Sequence, residues 1–209
     1  MSKAFDDFQI QLGLVDQLIT IHGKLQNGQG RRYEQDSIHR AGVVLSVASW
    51  QAYVAHVLVE GLDKIEEDLL DPVTASPQWA IHAFQGRRAV ILGAVKRFNT
   101  PDDVRVRDLF HDSLGFNPWP SWEWRNRRRQ WDEGEMRRRT NSWVLIRHSV
   151  AHGFNLPTDI QWLQDVHGRP RLTLHLLREC KNHFTHLARI TDNAFELHLR
   201  NHHNLPQPW

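Results

Sequence analysis

The sequence predicts an all-α protein, a single helical bundle of five to six helices with a long central second helix. Apolar residues recur at steps of three and four through most of the 209 residues, which is the period of amphipathic helices. Turn-forming Gly, Pro, Asn and Asp separate these segments. The sequence shows neither an alternation of strands and helices nor an internal repeat, which argues against an α/β sheet and a solenoid. Its uniform composition favours one domain over residues 1–209.

The first two helices follow from long apolar patterns. Residues 4–26 predict an amphipathic helix, and the turn-forming residues at 27–30 are expected to end it. A second pattern runs from about Glu34 to Leu69 and is apolar almost all round between residues 41 and 59. Because a helix with little polar face is normally buried, we expect this segment to be the central helix of the bundle.

Two further helix starts are marked by proline. Ser76 and Pro77 predict an N-cap and a first helical residue for a third helix that runs to about Phe98. The sequence Thr-Pro-Asp-Asp at 100–103 repeats this signal and predicts a shorter helix that ends before Gly115.

The second half begins with an irregular connection over 117–131, where two prolines accompany Trp119, Trp122, Trp124 and Trp131. We expect these tryptophans to pack on the bundle, with stacking on single-stranded nucleic acid as the alternative. Helices are predicted over about 132–152 and 173–199. A small hairpin or a loop is expected at 162–174 and a mobile tail at 200–209.

The composition is that of a soluble globular protein, with 40% hydrophobic and 24% charged residues. We expect no apolar run long enough to span a bilayer, and the first residues lack the profile of a secretory signal. We therefore expect a cytoplasmic protein without a membrane partner. The single cysteine, Cys180, excludes an intrachain disulfide and a cysteine-based zinc site.

Arginine is concentrated in one stretch. The net charge is only +2, but 21 of the 26 basic residues are arginine. Seven of them lie close together: Arg125, Arg127, Arg128, Arg129, Arg137, Arg138 and Arg139. Because a planar guanidinium suits phosphate, they predict an RNA-binding surface. A solvated helix face is an equal alternative, since acidic residues are interleaved.

The candidate site is the end of a predicted helix, residues 141–154. Gly153 stands where a left-handed C-cap residue is favoured. At about 100° per residue, four apolar residues form a core-facing stripe: Trp143, Ile146, Val150 and Phe154. Val144 and Leu145 lie outside this stripe, so the opposite side of the helix is also expected to be covered.

An arginine and two histidines crowd this helix end. His148 and His152 are neighbours on the second side, whereas Arg147 lies at the edge of the core stripe, about 140° from His152. Such residues in a last turn can also simply bind free carbonyl groups, so a C-terminal cap is the alternative. A second pair with the same spacing, Arg178 and His183, is interpreted as incidental and as the polar side of the last helix.

Other histidines give a weak metal signal. His183 and His186 are three residues apart, and His198, His202 and His203 lie near the end of the chain. Surface positions explain them better, because no carboxylate ligand is identified with them. We expect neither a metal site nor a cofactor. Gly-rich phosphate loops, Gly-x-Ser-x-Gly and His-Glu-x-x-His do not occur in the sequence.

The stretch Arg147-His148-Ser-Val-Ala-His152-Gly resembles the Arg-x4-6-His motif of HEPN (higher eukaryotes and prokaryotes nucleotide-binding) domains. Residues 40–53 resemble the long second helix of that family. Four segments are similar to landmarks of its RiboL-PSP-HEPN branch: Thr100-Pro-Asp-Asp, Leu109-Phe110, Leu114-Gly115 and Thr191-Asp192. Gln51 departs from the branch, in which an acidic residue usually occupies this position. The resemblance covers most of residues 35–198.

The resemblance implies a metal-independent endoribonuclease that binds RNA, commonly a homodimer with a composite active site. It also implies a role as a toxin or in phage defence, with an antitoxin or regulatory protein as a further partner. Cleavage by the 2′-hydroxyl of RNA needs proton transfer and positive charge on the phosphate. Arg147 is the expected phosphate clamp, and His152 is the expected general base or acid. His148 is expected to orient His152 or to touch phosphate.

Two alternatives to a nuclease stay open. The first is a non-catalytic HEPN domain that binds RNA or a protein partner. The second is a helical-bundle metalloprotein that uses the scattered histidines.

Overall fold

The structure, a computed structural model, describes residues 1–24, 35–127 and 129–209. Its helices are α1 (Lys3–Lys24), α2 (Asp36–Leu70), α3 (Gln78–Arg97), α4 (Asp103–Leu114), α5 (Glu133–Ala151) and α6 (Leu174–His203). Two-residue strands β1 (Trp124–Arg125) and β2 (Gln130–Trp131) pair in antiparallel orientation. The predicted all-α bundle with a long second helix is confirmed. The predicted turn at 27–30 and the start of the second helix at Glu34 lie outside the described residues.

The centre of the bundle is α2, which packs against α1, α3, α5 and α6. Two of its glycines allow α6 to approach closely. A Cβ built on Gly42 would lie 2.5 Å from Leu177 Cδ1. One built on Gly61 would lie 2.8 Å from Phe195 Cζ. Side chains do not tolerate such separations, so the close contact between α2 and α6 depends on glycine.

α2 contradicts the expectation that no apolar run is long enough to span a bilayer. By length and composition this helix is long and apolar enough to cross a membrane, although we expected no such run. Within the bundle, 56% of its most apolar window is buried. The mostly buried core helix of a soluble protein has the same length and composition, so this property of α2 is weak evidence for a membrane span.

Two helices begin later than the proline signals predict. α3 begins at Gln78, and its N-cap is Pro77 rather than Ser76. α4 begins at Asp103 and is capped by Asp102, whose side chain accepts a backbone N–H at 2.8 Å. The ring of proline restricts φ to a value that helical and extended backbone share, so a proline does not by itself locate the first helical residue.

The connection between α4 and α5 is held on the bundle by its tryptophans, as predicted. Trp122 is fully buried, and its Nε1 donates to Thr191 Oγ1 at 3.0 Å. Trp119 Nε1 donates to the carbonyl oxygen of Asp103 at 3.1 Å. These two bonds attach the connection to α6 and to the start of α4.

The segment before α6 is a loop with a short 3-10 helix at Gln161–Leu163. A single isolated bridge joins Gln164 and Pro170, so the segment has less pairing than a regular hairpin. The carboxylate of Asp165 accepts the N–H groups of His167 and Arg169 at 2.8 and 3.0 Å. The Asp165 side chain therefore tightens the loop together with backbone bonds across the bridge, such as that from the Arg171 N–H to the Leu163 carbonyl at 2.9 Å.

The last residues of the chain are packed. α6 runs to His203 rather than to about residue 199, and it ends at Asn204 in the left-handed conformation. Leu205 is buried, and the ring of Trp209 lies 6.0 Å from that of Phe195. The prediction of a mobile tail at 200–209 is therefore wrong, because the apolar side chains of this segment pack against the bundle.

Candidate active site

The end of α5 is built around Gly153, which has the predicted left-handed conformation with a φ of 70°. The Gly153 N–H donates to the Val150 carbonyl at 3.3 Å. The Phe154 N–H donates to the Ser149 carbonyl at 2.8 Å. Together these bonds form a Schellman motif, which satisfies two carbonyl groups that the helix leaves free. The chain therefore leaves the helix in a sharp, defined turn.

Three aromatic rings meet on the surface at this turn. The ring centroids of His148 and His152 are 4.4 Å apart. The Phe154 centroid lies 6.0 Å from that of His148 and 5.8 Å from that of His152. All three side chains are exposed. The structure thus brings the two predicted histidines together where a large substrate can reach them.

The predicted division of α5 into two covered sides is only partly correct. Trp143 and Ile146 face the core as expected. Phe154, also expected in the core, is 58% exposed, because the helix has ended before it and the angular spacing no longer applies. Val144 is buried within the protomer. Of the two apolar residues outside the stripe, only Leu145 is therefore left uncovered, with 44% of its surface exposed.

Arg147 lies on another side of α5 from the histidines. It is half-buried and shares a helical row with Thr140 and Trp143. Its Nε is buried without a hydrogen-bond partner. Within residues 1–24, 35–127 and 129–209, no hydrogen bond or ion pair joins its guanidinium to a carboxylate or to His148 or His152. The charge of Arg147 is therefore not balanced by a carboxylate among the described residues.

An exposed row of side chains runs along α5 towards the two histidines. It consists of Arg138, Asn141, Leu145, His148 and His152. Steps of three and four keep these residues on one side of the helix, and this is the spacing with which one helix meets another. Leu145 occupies the middle of the row.

A groove of about 500 Å³ opens beside the three rings. It is lined by Arg40, by the segment that follows α5 and by Pro170. Arg40 Nε donates to Asp36 Oδ2 at 2.5 Å. Among the described residues, neither terminal nitrogen of Arg40 has a hydrogen-bond acceptor. Neither Arg40 nor the groove was predicted from the sequence, because Arg40 and the segment after α5 are more than a hundred residues apart in the chain.

Three of the seven predicted RNA-binding arginines are used inside the protein. Arg129, Arg137 and Arg139 each have a carboxylate partner: Glu179, Asp103 and Glu135, respectively. Each Cζ also lies over an indole ring: 4.2 Å from Trp124, 3.5 Å from Trp119 and 4.3 Å from Trp162. Burial lowers the pKa of Arg139. These arginines hold tryptophans on the bundle.

The other arginines of the run are more accessible. Arg125 and Arg138 are exposed and pair with neighbouring glutamates at 3.0 and 2.8 Å. Arg127 is exposed, and Arg128 lies outside the described residues. Arg138 is at the far end of the exposed row, roughly 21 Å along the helix from His152. Arg138 thus lies away from the histidine pair rather than beside it.

His183 is buried, which corrects its assignment to the polar side of the last helix. Its Nε2 lies 2.9 Å from Thr140 Oγ1, and that hydroxyl already donates to the Met136 carbonyl. Nε2 therefore carries the proton, and Nδ1 is a buried acceptor without a partner in the described chain. Desolvation by burial, followed by the charge of Arg139, lowers the pKa of His183 to about 3. The ring is a neutral core group.

Other histidines join helices to neighbouring backbone. His186 Nε2 lies 2.7 Å from the carbonyl oxygen of Glu123, and His198 Nε2 lies 2.9 Å from that of Leu114. In the part of the chain that the structure describes, no three His, Cys, Asp or Glu side chains are placed to hold a metal ion together.

Gln51 occupies the position at which the HEPN branch usually has an acidic residue, and its side chain forms a hydrogen bond to the backbone. Its Nε2 donates to the carbonyl oxygen of Phe98, just after α3, at 3.0 Å. A carboxylate has no such donor unless it is protonated. The amide thus links α2 to the end of α3 in a way that an ionised acidic residue would not.

Comparison with known proteins gives no match. No protein-family model, curated protein or solved structure is significantly similar to the chain. Function is therefore inferred from the residues at the end of α5.

Proposed function

We propose that this protein is a metal-independent endoribonuclease that cleaves RNA by attack of the 2′-hydroxyl on the adjacent phosphorus. One observation carries the proposal. The last turns of α5 carry an exposed histidine pair and, on another side of the helix, an arginine for which the described residues provide no carboxylate partner. The resemblance of this Arg-x4-His motif to that of HEPN domains supports the same chemistry.

Each residue has a proposed role that follows from its side chain. His152 acts as general base or general acid, because imidazole gains and loses a proton near neutral pH. Arg147 binds two phosphate oxygens and stabilises the negative charge that develops on them. His148, whose ring lies 4.4 Å from that of His152, orients His152 or touches phosphate.

The proposed site needs two protomers. Within one protomer, Arg147 and His152 point about 140° apart around the helix, so a single α5 does not direct both at one phosphorus. A two-fold pairing of the α5 helix ends places two copies of each residue around one cleft, so that the arginine of one protomer can serve the histidine of its partner. Leu145 then has an apolar surface to bury against. We therefore propose a homodimer with composite active sites.

The first experiment measures cleavage of labelled RNA in the presence of EDTA. We expect products with 2′,3′-cyclic phosphate ends, since the attacking oxygen belongs to the RNA itself. His152→Ala should reduce the rate at least about 100-fold, as loss of a general acid or base does. His167→Ala, at an exposed loop position, is the matched control and should leave the rate unchanged. Cleavage that survives His152→Ala would remove the proposed role of this residue.

The second experiment tests whether the site is composite. Arg147→Ala and His152→Ala proteins, each inactive alone, are denatured together and refolded. A mixed dimer retains one site with both residues intact, so random pairing should recover about a quarter of the wild-type activity. If Arg147 and His152 of the same protomer form the site, the mixture stays inactive.

The biological setting follows from the proposed activity. An unrestrained ribonuclease damages its own cell, so we propose a cytoplasmic toxin or phage-defence role with an antitoxin or regulatory protein as partner. A protein that binds RNA but never cuts it, under conditions where His152→Ala changes nothing, would instead support the non-catalytic alternative.

A further inference from the structure

The groove next to the histidine pair has the chemical features of a nucleotide subsite. Its volume of about 500 Å³ lies within the range of small-molecule sites. Its lining includes a phenyl ring, an amide and a guanidinium, those of Phe154, Asn155 and Arg40. A flat ring, a hydrogen-bonding amide and a cation match the base and phosphate of one nucleotide.

Phe154 is exposed yet held in a defined position. Its backbone N–H is bonded to Ser149 in the Schellman motif, and its neighbour Leu156 is buried at 5% exposure. The ring lies 5.8 Å from that of His152 at an interplanar angle of 27°, so the two rings are nearly parallel. A base stacked on Phe154 would extend this row of rings.

The polar groups of the groove are free to bind a ligand. Asn155 is exposed, and no hydrogen bond engages its amide within the described ranges. The amide offers both a donor and an acceptor, which suits the edge of a base. Arg40 is held by Asp36 through Nε alone, and its side chain retains 36% exposure. Its terminal nitrogens can therefore bind a phosphate oxygen.

We infer that this groove binds one base of single-stranded RNA, stacked on Phe154 and read by Asn155, while Arg40 binds a neighbouring phosphate. The inference rests on the proposed function, because it assigns the substrate nucleotide next to the scissile bond. It also adds a specificity-determining residue, since Asn155 contacts the base and takes no part in the proton transfers. The substrate class is RNA with at least one unpaired base.

The test is binding of fluorescein-labelled 2′-O-methyl RNA oligonucleotides, which lack the attacking hydroxyl and cannot be cleaved. Fluorescence anisotropy gives the dissociation constant for homopolymers of each base. Phe154→Ala should weaken binding by about 5-fold to 100-fold, the range for loss of one base–aromatic stack. Phe154→Trp should retain the wild-type affinity. Asn155→Ala should reduce the difference between the preferred base and the other three.

The matched control removes an exposed aromatic ring far from the groove. Trp79 on α3 is 73% exposed, and Trp79→Ala should leave the affinity unchanged. Because Phe154 is itself exposed, Phe154→Ala should keep the melting temperature of the wild type, so weaker binding reports the lost stack. Wild-type affinity in Phe154→Ala, or failure of the wild-type protein to bind any of the oligonucleotides, would overturn the inference.

The binding test and the cleavage test separate the two proposals. Binding that depends on Phe154, without cleavage of natural RNA, would leave the subsite in place and remove the nuclease. Cleavage that depends on His152 but has no dependence on Phe154 in rate or affinity would leave the nuclease and remove the subsite.

Discussion

His183 places an ionisable ring where water does not reach it. Its pKa is lowered from 6.5 to about 3, so the folded protein resists protonation that the unfolded chain accepts. Above pH 6.5 the ring is neutral in both states, and the fold keeps its full stability. Between pH 6.5 and about 3 only the unfolded chain binds the proton, so the free energy of unfolding falls as the pH falls. We expect this residue alone to lower the free energy of unfolding by up to about 1.4 kcal/mol per pH unit in that range. Urea unfolding from pH 7 to pH 4 measures the slope.

The variant His183→Gln keeps a side-chain N–H for Thr140 but does not titrate. Its stability should be less sensitive to acid than that of the wild type, although some sensitivity remains because burial also lowers the pKa of His39 and His198. The exposed His167→Gln is the control and should keep the wild-type slope. Equal slopes in wild type and His183→Gln would contradict a buried, neutral His183.

At the scale of helices, the contact between α2 and α6 depends on residues without side chains. In Gly61→Ala, the new methyl group would meet the ring of Phe195 at about 2.8 Å, and this ring is fully buried. We expect a loss of about 1–3 kcal/mol in the free energy of unfolding, the typical cost of overpacking a core. Thermal and urea unfolding measure the change.

The matched substitution is Gly86→Ala on α3. A Cβ at Gly86 meets no atom within 4 Å, and the position is exposed in the middle of a helix. Alanine favours a helix over glycine by about 1 kcal/mol, so this variant should be more stable than the wild type. Destabilisation in both variants, or in neither, would show that the α2–α6 contact is not limited by space at Gly61.

At the scale of the whole molecule, the exposed row on α5 is the proposed dimer surface. Leu145→Glu places a charge at its centre and should turn a dimer into a monomer. The melting temperature of the protomer should change little, because Leu145 is 44% exposed within it. Light scattering at micromolar concentration gives the oligomeric state, and RNA cleavage should fall together with dimerisation.

The control for this surface is Leu197→Glu on α6, which also replaces an exposed helical leucine, 57% accessible. It should leave the dimer intact. A wild-type protein that is monomeric under these conditions would contradict the composite site, as would a Leu145→Glu monomer with full activity.

The fold and the helix end could be predicted because their signals are local in the chain. The apolar period marks the helices, and Gly153 reverses the chain after α5 since left-handed backbone favours glycine. The surroundings of His183 and Phe154 could not be predicted in the same way. The polar ring of His183 enters the core because the hydroxyl of Thr140, on another helix, accepts a hydrogen bond from its Nε2–H. Phe154 leaves the core because it follows the last helical turn.

The sequence by itself thus determined the helices, their order and the proximity of Arg147, His148 and His152 along one turn, since backbone propensities and spacing within a helix need no distant partner. Only the tertiary structure decided which charged groups are available. In the folded protein, Arg129, Arg137 and Arg139 contact tryptophans. The histidine pair stays exposed beside a groove. The physical reason is that burial and ion pairing depend on residues brought together from distant parts of the chain.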